Sequence, residues 1–311
     1  MCRALDLELL TYNFEFQRIV LLNALTIDVE EYFHVTAFAR HIDPKDWDGY
    51  PRRVENNTNR LLELLAERET HATFFILGWV AERCPGLVRQ IHGAGHAIGC
   101  HGYSHQAIYR GSREDFRRDV RRGKTVLEDL VSVAVTSYRA PSYSITTKTI
   151  WALELLGEEG FEYDSSIYPI VHDLYGIPGA SRFPYLRPLK GGKKIKEFPP
   201  STVRFFGMNF PVAGGGYLRL LPYHITSWAI RRINEVENQP AMIYLHPWEI
   251  DPDQPRISGP WLSRFRHYQN LHTTEVKLKK LLQEFSFCTM EKALIGRQLE
   301  EDFGDGTRRW H

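Results

Sequence analysis

Short apolar runs alternate along the chain with longer runs in which apolar residues recur at helical spacing. Ala24–Val29 (A-L-T-I-D-V) reads as a buried strand that ends in acids. Val54–Arg68 carries leucines at 61, 62, 64 and 65 among charges and predicts an amphipathic helix. Ala72–Leu77 (A-T-F-F-I-L) is the next strand, rich in aromatic and β-branched residues. Trp79–His92 follows as a helix closed by Gly93 and Gly95. Ala97–Cys100 is a short strand running into His101. Ser112–Leu130 is a helix with Ser112 as its N-cap and acids in its first turn. Val133–Arg139 is strand-like and leads into R-A-P-S-Y, Thr146–Leu156 is a helix, and Phe161–Ser165 is a short strand after Gly160.

The later chain is less regular. Residues 166–220 are rich in Pro, Gly and aromatics, with short strands predicted at Lys196–Pro199 and Tyr217–Leu220. Pro222–Val236 reads as a helix, Ala241–Leu245 (A-M-I-Y-L) as a buried strand ending at His246, and Glu275–Phe285 as a helix. Strands alternating with helices imply parallel strands covered by helices, in a barrel or a doubly wound sheet. The expected organisation is an N-terminal extension over 1–22, one α/β domain over 23–290 and a polar tail over 291–311.

Composition narrows the class. The chain has 311 residues, 43% hydrophobic and 25% charged, enough to bury the core of one large domain. Lys+Arg (39) and Asp+Glu (38) nearly cancel, so the overall charge gives no argument for nucleic-acid binding or a basic membrane patch. Cys2, Cys84, Cys100 and Cys288 are scattered without a C-x-x-C pair, unlike a disulfide framework or a cysteine zinc site. No apolar run reaches the roughly 20 residues of a membrane span. Asp6, Glu8 and Glu15 interrupt any signal-peptide core, so a cytoplasmic protein is expected.

The chemistry-bearing residues fall where strands end: Asp28, Glu30 and Glu31, then His101 and His105, then Arg139, Asp164 and His246. In parallel α/β architectures those ends and the loops after them form the active-site face. H-G-Y-S-H (101–105) spaces two imidazoles four apart; on a helical turn they would share a face and grip one metal. D-V-E-E (28–31) supplies a carboxylate ligand and a base, or else merely an acidic strand end capping a neighbouring helix. Arg139 can hold a carboxylate in a bidentate grip and keep it ionised, or form an ordinary structural salt bridge. His246 is either a satisfied core histidine or a member of this loaded face. G-A-G-H-A-I-G (93–99) departs from the dinucleotide-binding pattern and follows a helix, and neither a G-x-S-x-G elbow nor a Walker loop occurs.

In chain order T-I-D-V-E-E-Y-F, H-G-Y-S-H, Y-R-A-P-S-Y, Y-D-S-S-I-Y-P and Y-L-H-P-W-E resemble the polysaccharide deacetylase family, also called the nodulation-protein-B homology family. The branch with most similar motifs is that of deacetylases from exosortase-linked exopolysaccharide loci, and G-G-G-Y-L-R-L-L-P-Y (214–223) and R-F-R-H-Y-Q-N-L-H (264–272) resemble its C-terminal half. The resemblance covers roughly residues 24–290 and implies a distorted (β/α) barrel of about seven parallel strands, here with an irregular C-terminal elaboration. It implies a zinc site of His101, His105 and Glu30, with Glu31 as the rival ligand. It also implies Asp28 as base, Arg139 orienting it, the Ser142 N–H as part of an oxyanion hole, His246 as general acid and Asp164 tuning that histidine. The family's usual pair of adjacent aspartates is replaced here by acid-x-acid, with Val29 between.

The implied reaction is N-deacetylation of an N-acetylated amino-sugar polymer, with a zinc ion or another divalent metal as cofactor. Phe33, Tyr143, Tyr168, Trp248 and Trp261 are candidate platforms for sugar rings, most of them expected in the core. With Ser142, the substrate-binding candidates are Tyr143 and Trp248. Two other readings stay open at this point: a metal amidohydrolase of a small or cyclic amide, and a carbohydrate-binding protein without catalysis.

Overall fold

The structure is a computed structural model that describes residues 21–212 and 214–302. Its centre is β1 (Asn23–Val29), buried along its whole length. Around it lie β2 (Thr73–Ile76), β3 (Ala97–Cys100), β4 (Ser137–Tyr138), β5 (Tyr163–Asp164), β6 (Tyr185–Pro188) and β7 (Lys194–Glu197). A hairpin of β8 (Thr202–Phe205) and β9 (Met208–Pro211) stands apart, followed by β10 (Met242–Leu245) and β11 (Phe287–Cys288). The strand order is β10-β1-β2-β3-β4-β5-β7-β6, with β11 pairing the first residues of β1. Every neighbouring pair from β10 to β7 is parallel, and only β6 runs antiparallel, on β7. Seven parallel strands thus curl into a half-barrel, the distorted (β/α) barrel expected from the sequence.

The helices that make the crossovers are α1 (Val54–Ala66), α2 (Gly78–Arg83), α3 (Pro85–Gly93), α4 (Arg113–Val131) and α5 (Ala152–Glu158). The later ones are α6 (Gly216–Leu220), α7 (Tyr223–Arg231), α8 (Trp261–Tyr268), α9 (Leu271–Glu284) and α10 (Met290–Leu294). Parallel neighbours need such crossovers, and covering both faces explains why the central strands are apolar throughout. The leucines of α1 at 61, 62, 64 and 65 are all buried. The N-cap of α4 is Ser112, in a reciprocal capping box with Asp115.

Several expectations are corrected. The single helix over 79–92 is two, because Pro85 has no N–H to continue α2 and begins α3 instead. The expected strand at 217–220 is α6. It follows Gly214 (φ 143°), where an added Cβ would lie 1.8 Å from the Tyr244 carbonyl oxygen. This close approach to β10, not a strand, is what the glycine run serves. The helix predicted over 146–156 is shifted to Ala152–Glu158, and 147–151 form turns. The helix predicted over 222–236 is α7 followed by a π-helical turn, Arg232–Val236.

Of the expected tail, Ala293 and Leu294 are buried in a small cluster with Ala24, Phe75 and Phe198, and Asp302 donates its backbone N–H to Leu186 of β6. No structural boundary therefore falls at 290. Residues 303–311, and 1–20 of the expected extension, lie outside the described residues, as does Cys2. The other three cysteines are buried free thiols. Among the described residues, no helix is long and apolar enough to cross a membrane.

Candidate active site

The carboxyl ends of the parallel strands open on a pocket of about 730 Å³ lined by Asp28, Glu30, His101, His105, Ser142 and His246, among others. Alternation along β1 sends Ile27 and Val29 into the core and Asp28 and Glu30 to the pocket side. Both acids are buried. Glu31 points elsewhere: its carboxylate accepts the backbone N–H groups of Arg53 (2.7 Å) and Val54 (2.9 Å) at the start of α1. The helix-capping alternative thus describes Glu31, and Glu30 alone of the two acids reaches the histidines.

His101 follows β3. Its Nδ1 lies 2.8 Å from the carbonyl oxygen of Arg139, and a carbonyl only accepts, so Nδ1 carries the proton. The Nε2 lone pair is thereby left for the pocket. Burial holds this imidazole down at about 4, neutral under ordinary conditions. The expected helical turn across 101–105 is absent. The segment is a loop with left-handed backbone at Gly102 (φ 73°) and His105 (φ 51°). Asp119 of α4 ties it down, accepting the N–H groups of Tyr103 (2.8 Å) and Ser104 (3.0 Å). The loop still brings the two rings to 5.4 Å between centroids.

Ligand atoms of Glu30, His101 and His105 all lie within 4.8 Å of one another. Two features of this cluster fit a cation. Glu30 Oε2 is buried without a hydrogen-bond partner among the described residues, although His105 Nε2 is 2.5 Å away. An imidazole nitrogen and a carboxylate oxygen brought this close inside a buried pocket suit a shared ion. Two imidazoles and a carboxylate are also a donor set that borderline divalent metals accept.

Arg139 follows β4 and is completely buried. Its Nη1 donates to Asp28 Oδ1 (2.6 Å) and to Thr26 Oγ1 (2.8 Å), while Nε and Nη2 donate to the carbonyl and hydroxyl of Ser165. The grip on the carboxylate is single, not bidentate, because the other donors are spent on β1 and on the segment after β5. In R-A-P-S-Y the backbone turns left-handed at Ser142 (φ 55°) and Tyr143 (φ 52°), presenting Ser142 to the pocket with its hydroxyl against Thr36.

On the far wall, His246 follows β10 with Nε2 3.6 Å from Glu30 Oε1 and 3.9 Å from Asp28 Oδ2. Its Nδ1 lies 3.1 Å from Glu249, and Glu249 in turn accepts from Arg219 of α6 at 2.7 Å. Burial pulls the His246 pKa down, but the Glu249 hydrogen bond and the charges of Glu30, Glu249 and Asp28 outweigh it and push it up to about 9. Glu249 itself sits at about 2: burial raises it, and Arg219 and His246 together prevail.

Asp164, expected to tune His246, does not. Its carboxylate turns back to the Ser166 N–H (3.1 Å) and hydroxyl (2.6 Å) and is paired with Glu197. β5 lies five strands from β10 in the sheet order, and Glu249 stands beside His246 instead. The sequence reading missed Glu249, Arg219, Thr36 and Asp119. Only Glu249 carried a usable signal, three residues after His246 within L-H-P-W-E.

Tyr143 and Trp248 line the pocket but are buried. The Trp248 ring stacks between His246 (5.0 Å) and His267 (4.3 Å), and its N–H donates to Glu30 (3.3 Å). It packs the site and offers no open ring face. Phe33 and Tyr168 are core residues, whereas Trp261 is exposed.

Acids, a guanidinium and imidazoles gathered around a candidate metal centre, at the carboxyl edge of a parallel half-barrel, define a hydrolase-like site. Residues 47–161 match the family model described as Polysaccharide deacetylase, and residues 165–295 match a domain of unknown function (DUF3473). The chain therefore carries a polysaccharide deacetylase domain over residues 47–161. It is 33% identical over 98 residues to a peptidoglycan-N-acetylglucosamine deacetylase of Bacillus cereus, covering 31% of this chain and 36% of that protein. It is 32% identical over 108 residues to a peptidoglycan deacetylase of Helicobacter pylori, covering 35% of this chain and 36% of that one. The chain thus spans about a third of the length of the curated relatives it matches. A solved Mycobacterium smegmatis structure shares the fold, with a TM-score of 0.53, 22% identity, and coverage of 86% of this chain and 92% of that one.

Proposed function

We propose that the protein is a zinc-dependent N-deacetylase of an N-acetylated amino-sugar polymer, an exopolysaccharide or a peptidoglycan-like glycan. The observation that carries this reading is the convergence in one pocket of a cation cluster, an arginine-held carboxylate and a carboxylate-held histidine. The relatives' names point to N-acetylglucosamine polymers, and the branch resemblance to exopolysaccharide.

Glu30, His101 and His105 would hold the cation, which when bound acidifies water and polarises the acetamide carbonyl. Asp28, held in place by the Arg139 hydrogen bond, takes the proton from the attacking water. The N–H of Ser142 donates to the developing oxyanion. His246, cationic beside Glu249, gives a proton to the departing nitrogen as the amide C–N bond breaks. The water oxygen ends in acetate, and the sugar keeps a free amine. Tyr143 and Trp248 hold the walls against which the sugar lies.

The test is acetate release from N-acetylglucosamine oligomers, before and after chelation and with zinc restored. Release that disappears on chelation and returns with zinc is the expected result. Folded, zinc-loaded protein releasing nothing from oligomers or from a purified N-acetylated exopolysaccharide would overturn the reading.

A further inference from the structure

Several of the large apolar side chains left exposed on this molecule lie on or beside the pocket rim. Val171, Leu174 and Leu220 are exposed and line it. Helix α8, whose Ser263 and Arg266 line the same pocket, exposes Trp261, Leu262 and Phe265, the tryptophan to 75%. At helical spacing these three fall within an arc of about 100°, with Arg264 and Arg266 on its two borders. The buried His267 lies on the opposite side of the helix and anchors it. Arg264 and Arg266 are both exposed, and neither makes an ion pair among the described residues. Residues 254–274 contain three arginines and no acid. The one acid on the pocket loop that also carries Val171 is Asp173, with its carboxylate 3.2 Å from His172 Nδ1.

The apolar character continues past the pocket. Tyr217 lines both the pocket and a second, almost wholly apolar groove of about 630 Å³ between the β8–β9 hairpin and α7. The hairpin tip presents Phe206, 87% exposed.

We propose that this rim docks the protein on an anionic lipid surface, with α8 as the principal contact. An arc of Trp, Leu and Phe bordered by arginines suits the boundary between headgroups and acyl chains. The aromatic and aliphatic groups enter the apolar layer while the guanidinium groups remain at the phosphates. Docking would set the pocket mouth against the membrane, where a saccharide held at that surface is within reach. The inference stands apart from the deacetylase reading, since vesicle binding is measured without turnover.

The experiment is flotation of the full chain with phosphatidylcholine vesicles made with and without phosphatidylglycerol. Binding is expected to the anionic vesicles and to fall with salt. Leu262→Ser/Phe265→Ser should weaken it roughly tenfold or more, and Arg264→Gln about fivefold, the loss of one arginine at an anionic surface. Acetate release from a soluble oligomer should stay unchanged in both variants, with circular dichroism showing that they fold. Absence of binding, or equal binding to neutral and anionic vesicles, would overturn the proposal. So would a concentration-dependent dimer that the same substitutions dissolve, because the rim would then cover a second copy of the chain.

Discussion

On the wall of the pocket built from β1, β3 and β4, each functional side chain leaves a strand end or the loop directly after it. Asp28 is the penultimate residue of β1, Glu30 lies one residue beyond that strand, His101 one residue beyond β3 and Arg139 one residue beyond β4. Sheet hydrogen bonds fix those backbones, so the side chains converge with little help from elsewhere. On the opposite wall only His246 leaves a strand. Its partners arrive through packing: Glu249 from a 3-10 turn and Arg219 from a five-residue helix, both buried and joined at 2.7 Å. One wall is specified by ladder register and the other by tertiary contact. Changes on the first should cost chemistry while sparing the fold, and changes on the second should cost both.

The largest expected effect is on the first wall. His101→Ala or His105→Ala should abolish stoichiometric metal binding and lower acetate release on the order of 10³-fold or more, beyond the 10–100-fold typical of a residue one shell further out. Metal analysis alongside turnover checks this; a variant that keeps both would remove that histidine from the cluster. Asp28→Asn and His246→Ala should each cost about 10²–10⁴ in kcat, the usual contribution of a positioned base or acid. Metal content should stay near one equivalent, since neither is a ligand. Full turnover by His246→Ala would end its assignment as the acid.

Arg219→Met tests the second wall. It leaves Glu249 buried beside a histidine alone, and a cost of about 3–5 kcal/mol in unfolding free energy is expected, the usual result of breaking a buried pair. A denaturant midpoint equal to that of the unaltered protein would show that packing, not charge, holds α6.

The smallest effect concerns the buried pair behind the site. Burial raises the pKa of Asp164, and burial with the Asp164 charge raises Glu197 well above its ordinary 4.5. At this pair the folded state therefore binds more protons than the unfolded one above about pH 4.5, and its contribution to stability falls as pH rises toward the folded value. Glu197→Gln can still donate to Asp164 and accept from the Ile167 N–H, so it should flatten that decline in melting temperature. The same slope in the variant would show that Glu197 is ionised throughout.

Much of the framework was legible because it repeats a simple pattern. The β1 to α4 elements stand within a few residues of their expected limits, with the split at Pro85 the main exception. Asp28, Glu30, His101, Arg139 and His246 were found from strand ends alone and do line or border one pocket. The whole-chain charge of +1 hid the acid-free stretch beside α8. A sum over 311 residues says nothing about which charges share a face.

What the sequence determined by itself is the order of elements, the parallel α/β class and the identity of the groups brought to the active face. Period-two and helical spacing set these, and they are local properties. Tertiary structure decided between neighbours and partners. It turned Glu31 to cap α1 and left Glu30 to the histidines, brought Asp119 to hold the His101–His105 loop, and set Glu249, not Asp164, beside His246. Each of those choices depends on which backbone lies within about 3 Å of a carboxylate once the chain is packed, and residues up to tens of positions apart decide it.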